Sequence, residues 1–442
     1  AGDSLFGLWV RDAIDKAGKG GELFLHEPLQ RAQTQARVME TIESLTDADI
    51  GEAHRSAEMW EGVEAQTGEL DGFVSFLHAL DWLVLKGPDK ALVAQWLDGV
   101  FGDPMPIARG KKAPEGIRAK PEAVERFTAI WREARALIDE ERFLNWQITF
   151  PGVWTNWSSV GLEGGFDAVV GNPPWAKVEL EAAKWFLGRS APIVHAATNA
   201  EREALINELE QTDLQLFKDY QVAKQRFSMS ADVARRAGAY PLFGRGRPNL
   251  YQLFFERALK LIKPSGLIGF LVPSGIISDR VSSDFVRTVA PESRIYVFWD
   301  FENRRPQSGR FFPDVHPSFK VAITVIGGTD RISPEIKAGF FLPSTSREDI
   351  ADRAIPLRST LFERFNPTTG TAIIFRDQRD AAITAAIYDR LPVMRMPKAQ
   401  PIWNVTFSQM LNQSNDSKSF HSSERLMDDG WYPVALNRFQ KG

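Results

Sequence analysis

The stretch that most constrains the fold is GGFDAVVGNPPWAKVEL, residues 164–180. Its apolar run from Phe166 to Val170 reads as a buried strand, ended abruptly by Gly171 and then by Asn172-Pro173-Pro174-Trp175. Two successive prolines fix φ and remove two N–H donors, and each pushes the residue before it into extended geometry. The tetrapeptide can therefore be neither helix nor central strand, and it predicts a stiff turn with outward-facing carbonyls. The Asn172 side-chain oxygen and the Pro173 carbonyl then stand as two acceptors at one place, suited to gripping both hydrogens of a planar amino group. Trp175 offers a π face beside them. An exocyclic amine held in this way has its lone pair drawn out of ring conjugation and becomes a usable nucleophile. Positioning and electrostatics then carry the rate without a strong general base. A base inside a duplex cannot reach such a turn and must be flipped out.

The rest of the chain supplies a setting for this turn. Residues 8–146 repeat apolar side chains at three- and four-residue spacing, as in ERFTAIWREARALIDEERF, and predict amphipathic helices. From Phe143 onward strands and helices alternate. FDAVVG, LIGFLVP, RIYVFWDF and FKVAITVIGG read as strands, TDRISPEIKAGFFL as a further extended piece, and NLYQLFFERALKLIKP as a helix. Strands rich in Val, Ile and Phe between helices predict an α/β fold of three layers with a mostly parallel sheet. Ligands of such sheets bind beyond the carboxyl ends of the strands, which is where 172–175 falls. The expected organisation is a mostly helical part (1–144), a core (145–345) with a helical insertion (178–248), and a C-terminal extension (346–442).

Composition sets outer limits. At 442 residues, 43% hydrophobic and 25% charged, the chain is ordinary globular material. The net charge of -4 excludes a uniformly basic nucleic-acid coat but leaves room for a local basic cleft. There is no cysteine, and the six histidines show no ligand spacing, so neither disulfides nor a metal is expected. No apolar run approaches the roughly 20 residues of a membrane span, so a cytoplasmic location without membrane contact is expected.

With these residues in view, the sequence resembles the N6-adenine DNA methyltransferases, whose motif is [Asn/Asp/Ser]-Pro-Pro-[Tyr/Phe/Trp]. More closely it is similar to the methylase part of large bacterial restriction-modification and phage-defence proteins, including type IIG, BREX and DISARM methylases. NWQITFPGVW (145–154), RPNLYQLFFERALKLIKPSGLIGFLVPSGIISD (247–279) and WDFENRRPQSGRFFPDVHPSFKVAITVIGG (299–328) carry the resemblance beyond the turn, as do FNPTTGTAIIFRDQRDAAITAAIY and QSNDSKSF. The resemblance implies double-stranded DNA as partner and S-adenosyl-L-methionine as methyl donor. It implies that Asn172 and Pro173, with Pro174, hold the adenine amine. Trp175 and Phe319 would stack on the flipped base, and Asp3, in Gly2-Asp3-Ser4-Leu5-Phe6-Gly7, would lie near the cofactor. The family's glycine-rich cofactor loop has no counterpart in the chain. Gly18 to Gly21 follow a polar helical stretch rather than a strand, and Gly244-Arg245-Gly246-Arg247 reads as a loop. The expectation is an internal part of a larger protein or defence complex that binds the donor weakly or not at all alone.

Basic residues near the predicted strand ends are candidates for a phosphate channel: Arg235, Arg236, Arg245 and Arg247 in the insertion, and Arg304, Arg305, Arg310 and Lys320 around Phe319. A second cluster, Arg109, Lys111, Lys112, Arg118 and Lys120, falls in a proline-rich loop. Two alternatives stay open. The same acceptors would grip the amine of an RNA base or a protein amide, and a non-catalytic DNA-binding or assembly module of a defence complex would need no donor loop.

Overall fold

The computed structural model describes residues 4–441 apart from 47, 84, 113, 115–116, 158–162, 179, 237–238, 244–247, 305–309, 395–402, 404, 406–407, 413–415 and 436–437. Helices α1 (Val10–Ser44), α2 (Ile50–Trp82), α3 (Gly87–Leu97) and α4 (Pro121–Glu141) open the chain. α1 bends at Gly18, whose φ of 67° lies in the left-handed region that glycine enters without a Cβ penalty. α2 begins at Asp49, whose side chain accepts the Glu52 N–H. Its last turns, with Phe73, Val74, Phe76 and Leu77 and the polar Ser75 and His78 among them, are buried on every side, so α2 is the central helix of this bundle.

The NWQ of residues 145–147 fastens the segment leading into α1. Asn145 is fully buried; its Oδ1 accepts the Leu8 N–H at 3.0 Å while its amide donates to Asp71 Oδ1 at 3.0 Å and Ser75 Oγ at 2.9 Å. Gln147 Oε1 accepts the Val10 N–H at 2.8 Å, and Trp146 Nε1 donates to the Ser4 carbonyl at 3.0 Å.

The sheet follows, with strands β1 (Phe166–Gly171), β2 (Ile262–Pro273), β3 (Ile295–Glu302), β4 (Lys320–Gly327), β5 (Ile336–Leu342) and β6 (Ile355–Leu357). Their order across the sheet is β1-β2-β4-β3-β5-β6. Between β1 and β2 lie α5 (Asn199–Thr212) and α6 (Leu214–Arg236), within the expected insertion, and then α7 (Leu250–Leu261), which runs directly into β2. A separate small core of Phe186, Ile193, Ile206 and Tyr220 holds the first part of the insertion together.

The α/β class is the one the sequence predicts, but the sheet is mixed rather than mostly parallel. β1–β2 and β3–β5 are parallel, while β2–β4, β3–β4 and β5–β6 are antiparallel. The reason is the connection between β3 and β4. A parallel return is usually carried by a crossover helix, whereas the described parts of the connection, 303–304 and 310–319, contain none, and β4 returns antiparallel.

The strand expected to be buried is also placed differently. Among the described residues β1 is an edge strand paired with β2, and Val170 is 81% exposed. The faces of the sheet are unequal. Ile268, Phe270 and Val272 of β2 are buried under α7 and α8 (Ser283–Val289), where Phe255 meets Phe270 at 4.9 Å and Phe285 at 5.3 Å between ring centroids. On the opposite face Ile323 remains exposed. Apolar alternation shows what a strand can bury, not how much of it the neighbouring elements cover.

Two compact units result, Ala1–Arg390 and Leu391–Gly442, so residues 346–390 continue the first unit through α9 (Gln378–Arg390). The second unit contains a short helix, Ser423–Asp428, and a hairpin of Trp431–Ala435 with Arg438–Lys441. Among the described residues no helix is long and apolar enough to cross a membrane.

Candidate active site

The register of the sheet brings several distant segments to one end. Gly171 of β1 faces Phe270 of β2, Pro273 of β2 faces Val321 of β4, and Glu302 of β3 faces Lys320 of β4. The 172–175 turn, Ser274, the residues after Glu302 and the Phe319-Lys320 pair therefore share the carboxyl edge of β1, β2 and β3.

Within the turn, Asn172 is exposed and its amide makes no hydrogen bond among the described residues, whereas Pro173 is buried and acts as the anchor. Trp175 is half-buried. Its Nε1 donates to the Leu271 carbonyl at 3.3 Å, and its ring stands edge-on to Phe312 at 5.0 Å and 69°. The exit of the turn is tied to α7: the Leu250 N–H donates to the Ala176 carbonyl at 2.8 Å and the Val178 N–H to the Pro248 carbonyl at 3.2 Å. Asn249 and Gln252 form a reciprocal capping box at that helix start, which gives the turn a rigid support. Beside it, Pro174, Phe254, Val222 and Phe227 line a cavity of about 600 Å³.

Opposite the turn, the loop from β3 to β4 is organised by two residues that the sequence did not single out. Asn303 is fully buried; its Oδ1 accepts the Phe312 N–H at 3.0 Å, and its amide donates to the carbonyls of Phe312 at 3.0 Å and Val315 at 3.1 Å. It thus fixes the Phe312 that meets Trp175. Asp300 is likewise fully buried, accepting from Ser274 Oγ at 2.5 Å and from Lys320 Nζ at 3.0 Å. This pair links the ends of β2, β3 and β4 behind the loop. The only sequence signal was a polar D-x-x-N spacing, Asp300 and Asn303, at the end of an apolar strand.

The predicted residues are distributed as follows. Phe319 stands at the start of β4 and is 52% exposed, so it is not a core side chain. Lys320 is next to it, with its ammonium on Asp300 and over the Phe341 ring at 4.3 Å, rather than free to face a phosphate. Arg304 is exposed, as is Arg310, which donates to the Pro313 carbonyl at 3.2 Å. Arg235 lies on α6 with its guanidinium on Asp232 at 2.7 Å. Arg236 ends α6 with its side chain outside the described residues, and Asp3, Arg245, Arg247 and Arg305 lie outside them altogether. In the proline-rich loop, Arg109 is paired with Glu69 at 3.0 Å and serves α2.

Residues 103–199, a span that includes β1 and the turn, match the model of the Eco57I restriction-modification methylase family. No curated protein matches the chain. Solved structures with some likeness include the ATP-dependent Type ISP restriction-modification enzyme LlaBIII bound to DNA, 9% identical over 51% of this chain and 11% of that one, with a TM-score of 0.21. A type I restriction-modification methyltransferase subunit from Streptococcus thermophilus is 11% identical over 61% of this chain and 40% of that one, TM-score 0.22. The DrdV–DNA complex is 12% identical over 77% of this chain and 42% of that one, TM-score 0.21. The chain spans less than half the length of each.

Proposed function

We propose that this restriction-modification methylase-like chain is the amine-holding part of a DNA adenine-N6 methyltransferase serving restriction-modification or phage defence. The observation that carries the reading is the exposed, hydrogen-bond-free Asn172 amide at the carboxyl end of β1, on a turn braced by Pro173, Trp175 and α7.

In this reading Asn172 Oδ1 and the Pro173 carbonyl accept the two hydrogens of the adenine amine. Pro174 keeps that carbonyl free of a neighbouring N–H. The flipped base stacks between Trp175 and Phe319, of which Phe319 offers the larger open face. Arg304 and Arg310 face the phosphates. A rigid, prepositioned pair of acceptors suits a reaction in which alignment supplies much of the rate.

S-adenosylmethionine is the methyl donor that this chemistry names, and the described residues do not fit it. Among them no glycine-rich turn joins a strand to a helix, and Gly18 bends the inside of α1 instead. The chain's own part is the grip on the amine.

The reading is tested on the full-length protein that contains this chain, incubated with labelled S-adenosylmethionine and each of unmethylated genomic DNA, total RNA and protein extract, then digested to nucleosides or amino acids. Label in N6-methyladenine from DNA is the expected result. Label in N4-methylcytosine, RNA or glutamine would replace the substrate, and no label in any arm would leave a DNA-binding module.

A further inference from the structure

A cavity of about 500 Å³ opens in the helical part, between α2 and the segment that leads from the end of α4 to Thr149, within the size range of small-ligand sites. One wall is a single face of α2, where Trp60, Glu64, Thr67, Gly68, Asp71 and Ser75 recur at helical spacing. The other wall is largely apolar, with Ile138, Phe143, Leu144 and Ile148.

Asp71 stands out among the lining residues. It is half-buried and takes one hydrogen bond, from the Asn145 amide at 3.0 Å. Glu69, two residues earlier, is held by both Arg31 and Arg109, whereas no lysine or arginine is paired with Asp71 among the described residues. Burial raises the Asp71 carboxyl above the usual carboxylate range, the Asn145 hydrogen bond opposes that rise, and no cation contributes. Arg142, on the opposite wall, is exposed and enters no ion pair among the described residues. A carboxylate withdrawn from water without a counter-charge is costly, and a cation in the cavity would offset that cost.

Two neighbours give the cavity room and an open face. Gly68 lies one turn before Asp71 inside α2, and a Cβ there would meet nothing within 4 Å. Trp60 is half-buried, and its indole makes neither a ring contact nor a hydrogen bond among the described residues. Hard metal ions need several oxygen ligands, and among the described residues no group of three or more side chains could hold one. With a largely hydrocarbon wall facing Asp71, the cation that suits the cavity is organic.

We propose that this cavity binds a small organic amine, its ammonium on Asp71 and its apolar body between Trp60 and the wall of Ile138, Leu144 and Ile148. The carboxylate oxygen that Asn145 leaves free takes the ammonium. The cavity shares no lining residue with the 172–175 turn, and the inference stands whether or not the methyltransferase reading does.

The test is equilibrium dialysis of labelled benzylamine, an ammonium at neutral pH, against the full-length protein that contains this chain, with benzyl alcohol as an uncharged competitor of the same shape. It is repeated with Asp71→Asn, Gly68→Leu and Glu58→Gln, each checked for folding by thermal melting. Benzylamine is expected to bind, and benzyl alcohol to leave it bound. Asp71→Asn, which keeps an acceptor for Asn145, should weaken binding by about tenfold or more. Gly68→Leu should do the same by filling the cavity, with a melting temperature no lower than the parent's, since glycine is the poorer helix former. Glu58, exposed on α2 and outside the cavity, should be replaceable by Gln without effect. No benzylamine binding, displacement by benzyl alcohol, or unchanged binding in folded Asp71→Asn or Gly68→Leu would overturn the proposal. Should Asp71→Asn not fold, Gly68→Leu decides alone.

Discussion

Asn172 and Asn303 sit near each other in the sheet's end but belong to different physics. Asn172 is exposed and holds nothing together, so Asn172→Ala should leave unfolding free energy within about 0.5 kcal/mol of the parent. Asn303 is buried and makes three hydrogen bonds to one loop, so Asn303→Ala should cost about 2–3 kcal/mol in denaturant unfolding, through the unmade bonds to Phe312 and Val315. An Asn303→Ala protein as stable as the parent would show that the loop holds itself. The contrast also explains what could be read in advance. The turn was legible because proline acts on its own residue and the one before it. Asp300 and Asn303 were not, because their partners, Ser274, Lys320 and Phe312, become neighbours only once the strand register is set.

At the scale of elements, β1 depends on a close approach at its start. Gly165 has a φ of 121°, and a Cβ there would come within 2.5 Å of the Lys263 nitrogen and 2.8 Å of the Leu261 carbonyl oxygen, both main chain. Gly165→Ala should therefore cost about 2 kcal/mol or more and loosen the β1–β2 pairing, visible as faster amide exchange in β1. α2 carries a different strain. Burial holds the His78 ring below its ordinary value, with Asp81 opposing, and Trp82 Nε1 donates to its Nε2 at 3.2 Å, so the folded ring is neutral. Unfolding returns it to about 6.5. The contribution is therefore complete above that value and is lost as pH falls below it. Stability should drop between pH 7 and 5, and His78→Gln should flatten that part of the curve. Most elements were legible from periodicity, but two properties were not. The direction of β4 goes with a connection whose described residues contain no helix, and the exposure of β1 follows from its place at the edge, neither of which alternation of side chains encodes.

Over the whole molecule, the contact pattern predicts that a chain ending at Arg390 melts at the temperature of the longer one, since Leu391–Gly442 form their own unit. A large fall in melting temperature on truncation would contradict that division. Net charge of -4 confines any DNA contact to local basic residues. Arg304→Ala and Arg310→Ala should each weaken binding across sequences alike and reduce the salt slope by about one, while Lys320→Met should change stability more than slope because Asp300 already holds its charge. The most direct test of the central claim is methyl transfer to adenine by the full-length protein that contains this chain and by its Asn172→Ala variant, with unfolding measured on both. The account predicts a loss of at least about a hundredfold in transfer with folding unchanged. Transfer by the folded variant at the parent's rate would contradict it.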